Sequence, residues 1–246
     1  MWVDVSSPDL DKSNAFYSGL FGWDAQQVPE PEAGGYTMYF RDGKMVGAAG
    51  PTFGPDQHPA WATYVHSEDA DATAQAVKDA GGQVLMGPMD VMGQGRMAVF
   101  MDTTGAPISI WQPQLHQGAQ MVNEPGSFSW SELYTRDIPA AQEFYRKVFG
   151  WGIEETDMPF GKYTLFDVDG RAIAGGMDMS AFLPDSIPPH WLVYFNVENT
   201  DDSIAKVKEL GGTVVDGPKE TPMGPFAVIQ DPVGAAFAVI QFTPQS

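Results

Sequence analysis

The amino-acid sequence predicts an α+β fold that arises by tandem duplication. The segment Phe16–Trp23 returns as Phe144–Trp151, a displacement of 128 residues. Inside each copy a fainter period of 60 relates Asp9 to Asp69. Repeats of this kind fix the architecture before single elements are assigned. We therefore expect four related modules, two in each copy.

Each module is expected to hold one strand, one helix and then three strands. The helices are predicted at Pro8–Gly19, Asp69–Ala80, Asp137–Val148 and Thr200–Leu210. Capping or acidic side chains at their starts satisfy free N–H groups and suit the positive end of the helix dipole. Three of the helices are expected to stop at glycine, at Gly19, Gly81 and Gly211.

The predicted strands are rich in β-branched and aromatic residues and are bounded by Gly and Asp turns. In the first copy they are Gly35–Phe40, Val46–Ala49, Trp61–His66, Arg96–Met101 and Pro107–Trp111, with counterparts in the second. We expect a first domain over residues 1–113, a polar linker over 114–127 and a second domain over 128–246. The aromatic side chains on the helices and at their ends are expected to form the core: Phe16, Phe21, Trp23, Phe144, Phe149 and Trp151.

The composition excludes several classes of partner. The chain has 32 Asp and Glu against 13 Lys and Arg, a formal charge of −19, which argues against binding nucleic acid or an anionic membrane. It has no cysteine, so disulfides and cysteine-ligated metals are excluded. The start of the chain shows no signal-peptide pattern, and no apolar run approaches membrane-spanning length. We expect a soluble, cytoplasmic protein.

Several short motifs together resemble a known superfamily. They are a strand followed by Asp9-Leu10, a helix with Phe16-Tyr17, Phe21-Gly22-Trp23, Gly81-Gly82, Gly87-Pro88 and Asp231-Pro232-Val233-Gly234. The set resembles the vicinal oxygen chelate superfamily, which includes glyoxalase I, bleomycin and fosfomycin resistance proteins and extradiol dioxygenases. The chain is most similar to tandem glyoxalase-like members. The resemblance implies paired βαβββ modules, four in all, whose curved sheets form two concave clefts.

The resemblance also implies where a divalent metal would be held. Active members use His, Gln or Glu on the first and last strands of each module. Those positions map onto Trp2, Trp130, Ser109, Ala238, Ala62 and Leu192, and near Gly47 and Gly175. None is an ordinary strong ligand. We therefore expect no metal and no other cofactor; a divalent metal on rebuilt donors such as Asp4 with His66 is the alternative.

Two carboxylates lie near the substituted metal positions. Asp4 and Glu132 follow Trp2 and Trp130 by two residues, so strand alternation directs them to the same clefts. A carboxylate in an apolar cleft is a candidate general base or ligand anchor. A carboxylate at the edge of a sheet, by contrast, only caps a turn or binds water. Asp4 and Glu132 are the candidate catalytic residues, and both interpretations stay open.

The clefts are predicted to be lined by aromatic and polar side chains: Trp2, Tyr64, His66 and Trp111 in the first copy, and Trp130, Tyr134, Tyr194 and Asn196 in the second. Concave aromatic surface with a few polar groups is typical of a small-molecule pocket. The alternative is that Trp2 and Trp130 fill the space of the absent metal and leave a packed core.

Two functions follow. The first is metal-free binding of a small organic molecule, aromatic or planar, for sequestration or resistance. The second is an enzyme: a lyase or dioxygenase with displaced metal ligands, or a metal-free catalyst that uses Asp4 or Glu132. Substitution of the metal positions in both copies favours the first. The sequence leaves the catalytic question, the ligand and the oligomeric state open.

Overall fold

The structure is a computed structural model that describes residues 1–54, 56–158 and 161–242. These residues form two eight-stranded sheets and four α-helices, which confirms the predicted α+β class. No helix in these ranges is both long and apolar enough to cross a membrane.

The first copy contains two βαβββ modules. Module 1 consists of β1 (Trp2–Ser7), α1 (Leu10–Phe21), β2 (Asp24–Gln27), β3 (Thr37–Arg41) and β4 (Lys44–Pro51). Module 2 consists of β5 (Ala60–His66), α2 (Ala70–Asp79), β6 (Gln83–Val91), β7 (Gly95–Met101) and β8 (Pro107–Pro113). A short 3-10 helix, Pro31–Ala33, lies between β2 and β3.

The second copy repeats this order. Module 3 consists of β9 (Ser127–Thr135), α3 (Ile138–Phe149), β10 (Gly152–Met158), β11 (Gly161–Val168) and β12 (Arg171–Asp178). Module 4 consists of β13 (His190–Asn196), α4 (Thr200–Glu209), β14 (Thr213–Lys219), β15 (Phe226–Gln230) and β16 (Ala236–Ile240). The predicted tandem duplication of βαβββ modules is confirmed.

The two sheets have the same strand order. It is β2-β3-β4-β1-β5-β8-β7-β6 in the first copy and β10-β11-β12-β9-β13-β16-β15-β14 in the second. In both sheets the first strand of the copy, β1 or β9, pairs in parallel with the last strand of its own module, β4 or β12. This register places Asp4 opposite Ala48 and Glu132 opposite Gly175. The candidate carboxylates thus occupy equivalent positions, and Ala48 rather than Gly47 is the counterpart of Gly175.

Helix α1 differs from its predicted bounds. It begins after Asp9, whose carboxylate accepts the N–H of Lys12 at 3.1 Å, and it continues past Gly19 to Phe21. Its end is set by Gly22, which adopts a left-handed conformation at φ +70° and donates its N–H to the carbonyl of Ser18. The expected stop at Gly19 is therefore wrong. The absent side chain at Gly19 instead admits Leu210, because a Cβ there would lie 2.8 Å from its Cδ2.

By packing, the described chain divides into two compact units. The first unit contains Met1, Thr63–Gly118 and Trp130–Leu192. The second contains Trp2–Ala62, Ala119–Ser129 and the chain from Val193 onward. Each unit thus combines one module from each copy. The boundaries at 113 and 128 mark the sequence repeat, and their meaning as independent domains stays a prediction.

Each unit has an aromatic core with a tyrosine at its centre. In the second unit Tyr17 donates to Oδ2 of Asp231 at 2.9 Å and accepts the indole N–H of Trp61 at 2.9 Å. Burial raises the pKa of the Tyr17 hydroxyl well above its ordinary value, so it stays a donor. Of the six aromatic side chains predicted for the core, Phe149 is only partly buried and the other five are buried.

Candidate functional site

In module 1 a tryptophan, a tyrosine and a carboxylate form a hydrogen-bonded relay. The indole Nε1 of Trp2 donates to the hydroxyl of Tyr36 at 3.3 Å, and that hydroxyl donates to Oδ2 of Asp4 at 2.8 Å. Trp2 is buried, whereas Tyr36 and Asp4 are half-buried. The two hydrogen bonds orient the carboxylate of Asp4 near the indole ring of Trp2.

Module 3 contains the same relay with a longer acid. Nε1 of Trp130 donates to the hydroxyl of Tyr163 at 3.0 Å, and Tyr163 is hydrogen-bonded to Glu132. A second hydroxyl, that of Tyr134, donates to Oε2 of Glu132. Burial first, and then the charge of Glu132, raise the pKa of Tyr163 well above its ordinary value. Tyr163 is therefore a fixed hydrogen-bond donor.

Aromatic rings cover Tyr134 in module 3. The imidazole of His190 stacks on it, with the ring centres 5.4 Å apart, and the ring of Phe182 makes a T-shaped contact with it, with the centres 5.8 Å apart. Burial lowers the pKa of His190, so its ring is neutral near pH 7. Nδ1 of His190 pairs with the carbonyl of Pro188 at 2.9 Å.

The segment that carries Phe182 is held to the end of β9 by one guanidinium. Arg136 donates to the carbonyls of Ile187 at 2.9 Å and Pro184 at 2.8 Å. The N–H of Met179 donates to the carbonyl of Thr135 at 3.0 Å. The three aromatic rings are thus fixed by side-chain and backbone contacts.

The positions that would hold a metal do not suit one. A Cβ built on Gly175 would overlap the hydroxyl of Tyr163 and lie 2.9 Å from Nε1 of Trp130, so the relay fills the space of a last-strand ligand in module 3. The remaining positions carry an indole, a serine hydroxyl or an apolar side chain. Nowhere in residues 1–54, 56–158 and 161–242 do three His, Cys, Asp or Glu side chains lie together as a metal site. This donor set does not fit a divalent ion.

The other predicted cleft residues in modules 2 and 4 make their own contacts. Tyr64 and Tyr194 are buried and pair in register with Ser109 and Ala238. That these tyrosines share clefts with the relays stays a prediction.

Three further predicted residues have polar partners. Nε1 of Trp111 donates to the carbonyl of His116 at 2.8 Å, and His66 pairs with Glu68 at 2.9 Å. Asn196 donates to the carbonyl of Asn123 and accepts the N–H of Phe242. These contacts anchor neighbouring segments, and ligand binding by the same three residues stays a prediction.

The sequence patterns did not single out Tyr36, Tyr163 or Phe182. The sequence does contain a signal for Tyr36 and Tyr163. Each lies before the strand that pairs in parallel with the strand of its carboxylate, and the two tyrosines are 127 residues apart. Their pairing with the carboxylates depends on how β3 and β11 lie in the sheets, which residue spacing does not encode.

Comparison with known proteins identifies the family. The sequence profile of the Glyoxalase/Bleomycin resistance protein/Dioxygenase superfamily matches residues 2–110 and 127–239. The chain belongs to this superfamily, as the sequence motifs predicted, and each copy of the repeat is one match.

Named relatives span nearly the whole chain. The anthracycline biosynthesis protein DnrV of Streptomyces peucetius is 40% identical over 254 residues, which cover 98% of this chain and 92% of that protein. The putative glyoxylase CFP32 of Mycobacterium tuberculosis is 38% identical over 249 residues, which cover 99% of this chain and 95% of that protein.

Solved structures share the fold at low sequence identity. The Mn(II)-bound glyoxalase from Novosphingobium aromaticivorans is 18% identical, with a TM-score of 0.62 over 99% of this chain and 84% of its own. The homoprotocatechuate 2,3-dioxygenase from Arthrobacter globiformis is 14% identical, with a TM-score of 0.66 over 98% of this chain and 78% of its own. At these identities the likeness establishes the fold alone.

Proposed function

We propose that this protein binds a planar aromatic organic molecule in its glyoxalase-type clefts without a metal. The observation that carries the proposal is the Trp–Tyr–carboxylate relay, which occurs in both copies with its tryptophan at a metal position that the resemblance implies. In module 3 the relay also fills the space that a side chain at position 175 would occupy. An indole wall with an oriented carboxylate suits a flat ligand that has one polar group.

The relatives support an aromatic ligand. One of them is named for anthracycline biosynthesis, and anthracyclines contain fused planar rings. We therefore propose an aromatic natural product, bound in a cytoplasmic protein, as the ligand class. The relative named as a putative glyoxylase points to a lyase, but such a reaction on a metal would need donors that the relay positions lack.

A metal-free catalyst is the second candidate function. The observation that favours it is Glu132, which is only 7% exposed and is held by the hydroxyls of Tyr134 and Tyr163. Replacing Glu132 with Gln separates the two functions. A binder loses only modest affinity through one weakened hydrogen bond, whereas an enzyme with this general base loses about 10²–10⁴ in rate while it still binds.

Equilibrium dialysis of the full chain with 2-methoxynaphthalene, a neutral planar probe, tests binding. We expect saturable binding that is unchanged by EDTA, and a loss of about 1–3 kcal/mol in Trp130→Ala, the scale of a truncated aromatic hot spot. EDTA should also leave the thermal midpoint unchanged, because an absent metal site contributes no binding-linked stability. Binding that requires a divalent ion would contradict the proposal.

A further inference from the structure

The two copies differ at one end of their first strands. Tyr134 near the end of β9 corresponds to Ser6 in β1, at the displacement of 128 that relates Trp130 to Trp2. The first residue of β13 is His190, and the first residue of β5 is Ala60. Two ring-bearing side chains of the second copy are therefore a hydroxymethyl and a methyl group in the first.

In the second copy this place is filled by a phenol that belongs to the protein itself. The ring of Tyr134 is 7% exposed and packs against His190 and Phe182. Its hydroxyl donates to the carboxylate of Glu132. Module 3 thus shows how the superfamily sheet holds a phenol ring beside a first-strand carboxylate.

The first copy retains a carboxylate and a phenylalanine at the corresponding positions, without the phenol and the imidazole. Asp4 stands in the place of Glu132 and is oriented by Tyr36. Phe53 corresponds to Phe182, since Phe53 and Asp56 recur as Phe182 and Asp185 at a displacement of 129.

The exposure of these side chains fits an open site. Phe53 is 72% exposed against 45% for Phe182. Ala60 is exposed and Ser6 is half-buried, whereas Tyr134 is buried. A large apolar ring that faces water is a place where a flat ligand gains contact area.

We infer that the Ser6 end of β1 binds the phenol ring of a hydroxylated aromatic molecule, whose hydroxyl donates to Asp4 as that of Tyr134 donates to Glu132. This inference rests on the proposed function. It narrows the ligand class from planar to phenolic molecules and places the binding site in the first copy. A carboxylate offers about four acceptor positions, so Asp4 can accept a ligand hydroxyl together with that of Tyr36.

Gln57 is a polar side chain at the proposed site and connects the backbone of Phe53 to Ser6. Nε2 of Gln57 donates to the hydroxyl of Ser6 at 3.2 Å, and its Oε1 accepts the N–H of Phe53 at 2.6 Å. The N–H of Ala60 also donates to the Ser6 hydroxyl, at 3.3 Å. These contacts tie the backbone of Phe53 to Ser6, which lies two residues along β1 from Asp4.

The test compares 2-naphthol with 2-methoxynaphthalene, which has the same rings but no hydroxyl to donate, by equilibrium dialysis against the full chain at neutral pH. We expect 2-naphthol to bind about tenfold more tightly, and Asp4→Asn to remove most of that difference, since hydrogen bonds to charged groups are worth this much. Ser6→Tyr installs the ring of the second copy and should weaken 2-naphthol by about tenfold or more. Ala15→Tyr, which adds the same ring to an exposed position of α1, is the matched control and should change affinity by about twofold at most.

Each outcome decides between the two proposals. If both probes bind equally to the wild type and Ser6→Tyr binds them unchanged, the phenol site is wrong while planar binding stands. If neither probe binds the wild type, the proposed function fails and this inference fails with it. Should Ser6→Tyr not fold by circular dichroism, Ala60→His fills the same place with the other ring, and unchanged 2-naphthol affinity in that variant would equally overturn the inference.

Discussion

The hydroxyl of Tyr17 donates to Oδ2 of Asp231, 214 residues further along the chain, at 2.9 Å. The reciprocal bond joins Tyr145 to Oδ2 of Asp102 at 2.8 Å. The other oxygen of Asp231 accepts the N–H groups of its own turn, including that of Ala235 at 2.8 Å. In each copy, a tyrosine on the first helix is thus bonded to the last hairpin of the other copy.

The Tyr17 bond is expected to contribute to stability. Tyr17→Phe leaves the 4%-exposed carboxylate of Asp231 without that donor, which should lower the free energy of unfolding by about 1–3 kcal/mol. Urea unfolding followed by circular dichroism measures the change. Tyr36→Phe is the matched control, because its hydroxyl bonds a half-buried carboxylate and should cost less. Equal losses in the two variants would contradict the expectation.

The two halves of the chain are expected to need each other. Phe16 and Phe21 of α1 pack on Phe237 and Phe195, with ring centres 6.2 and 5.1 Å apart, so residues 1–118 alone expose this aromatic surface. Residues 1–118 and 119–246, expressed together as separate chains, should copurify as a one-to-one complex. A half that is monomeric and cooperatively folded by itself would show that the sequence repeat also marks independent domains.

Gly175 is expected to tolerate no side chain. Gly175→Ala pushes against Tyr163 and Trp130, and an overpacked site of this kind costs about 1–3 kcal/mol. Gly54→Ala is the control, because a Cβ there has no neighbour within 4 Å among the described atoms. Thermal unfolding of both variants measures the difference. A Gly175→Ala protein as stable as the Gly54→Ala protein would mean that Tyr163 and Trp130 can shift at little cost in free energy.

The buried tyrosines should make stability depend on alkaline pH. Burial raises the pKa of Tyr17, Tyr145 and Tyr163 well above the ordinary tyrosine value of about 10. Above that pH the unfolded chain loses these protons and the folded chain keeps them. The unfolded state then binds fewer protons, so their contribution is fully present below about pH 10 and is lost as pH rises through the raised values.

Urea unfolding across the alkaline range, with tyrosinate absorbance recorded in parallel, checks this dependence. Tyr163→Phe should make the fall in stability shallower because it removes one of the shifted groups. If all 8 tyrosines ionise near their ordinary pKa in the folded protein, the expectation is wrong.

Much of the fold could be predicted from the sequence because duplication repeats the same local signals. The return of Phe16–Trp23 as Phe144–Trp151 and the fainter period of 60 together determined the number of modules. Capping residues placed α2, α3 and α4 to within about one residue at each end. The exception was α1, whose end depends on the left-handed conformation of Gly22 and not on the mere presence of Gly19.

The carboxylates were found from the sequence because strand alternation is local. Asp4 and Glu132 share the parity of Trp2 and Trp130, and the register confirms that the two acids are equivalent. Their partners Tyr36 and Tyr163 were not found, since a hydroxyl that reaches a carboxylate from another strand depends on sheet twist and side-chain rotamer.

The sequence by itself determined the superfamily and the four modules, because residue type and spacing carry both. The resemblance to that superfamily also implies that the metal positions are substituted. Only the tertiary structure decided that Tyr17 bonds Asp231 and Tyr145 bonds Asp102, so that modules from different copies share cores. It also decided that Tyr134 is buried against His190 and Phe182, whereas its counterpart Ser6 is half-buried. The physical reason is that core pairing and the occupancy of a strand end arise from contacts between distant segments, whereas periodicity reports only the face on which each residue lies.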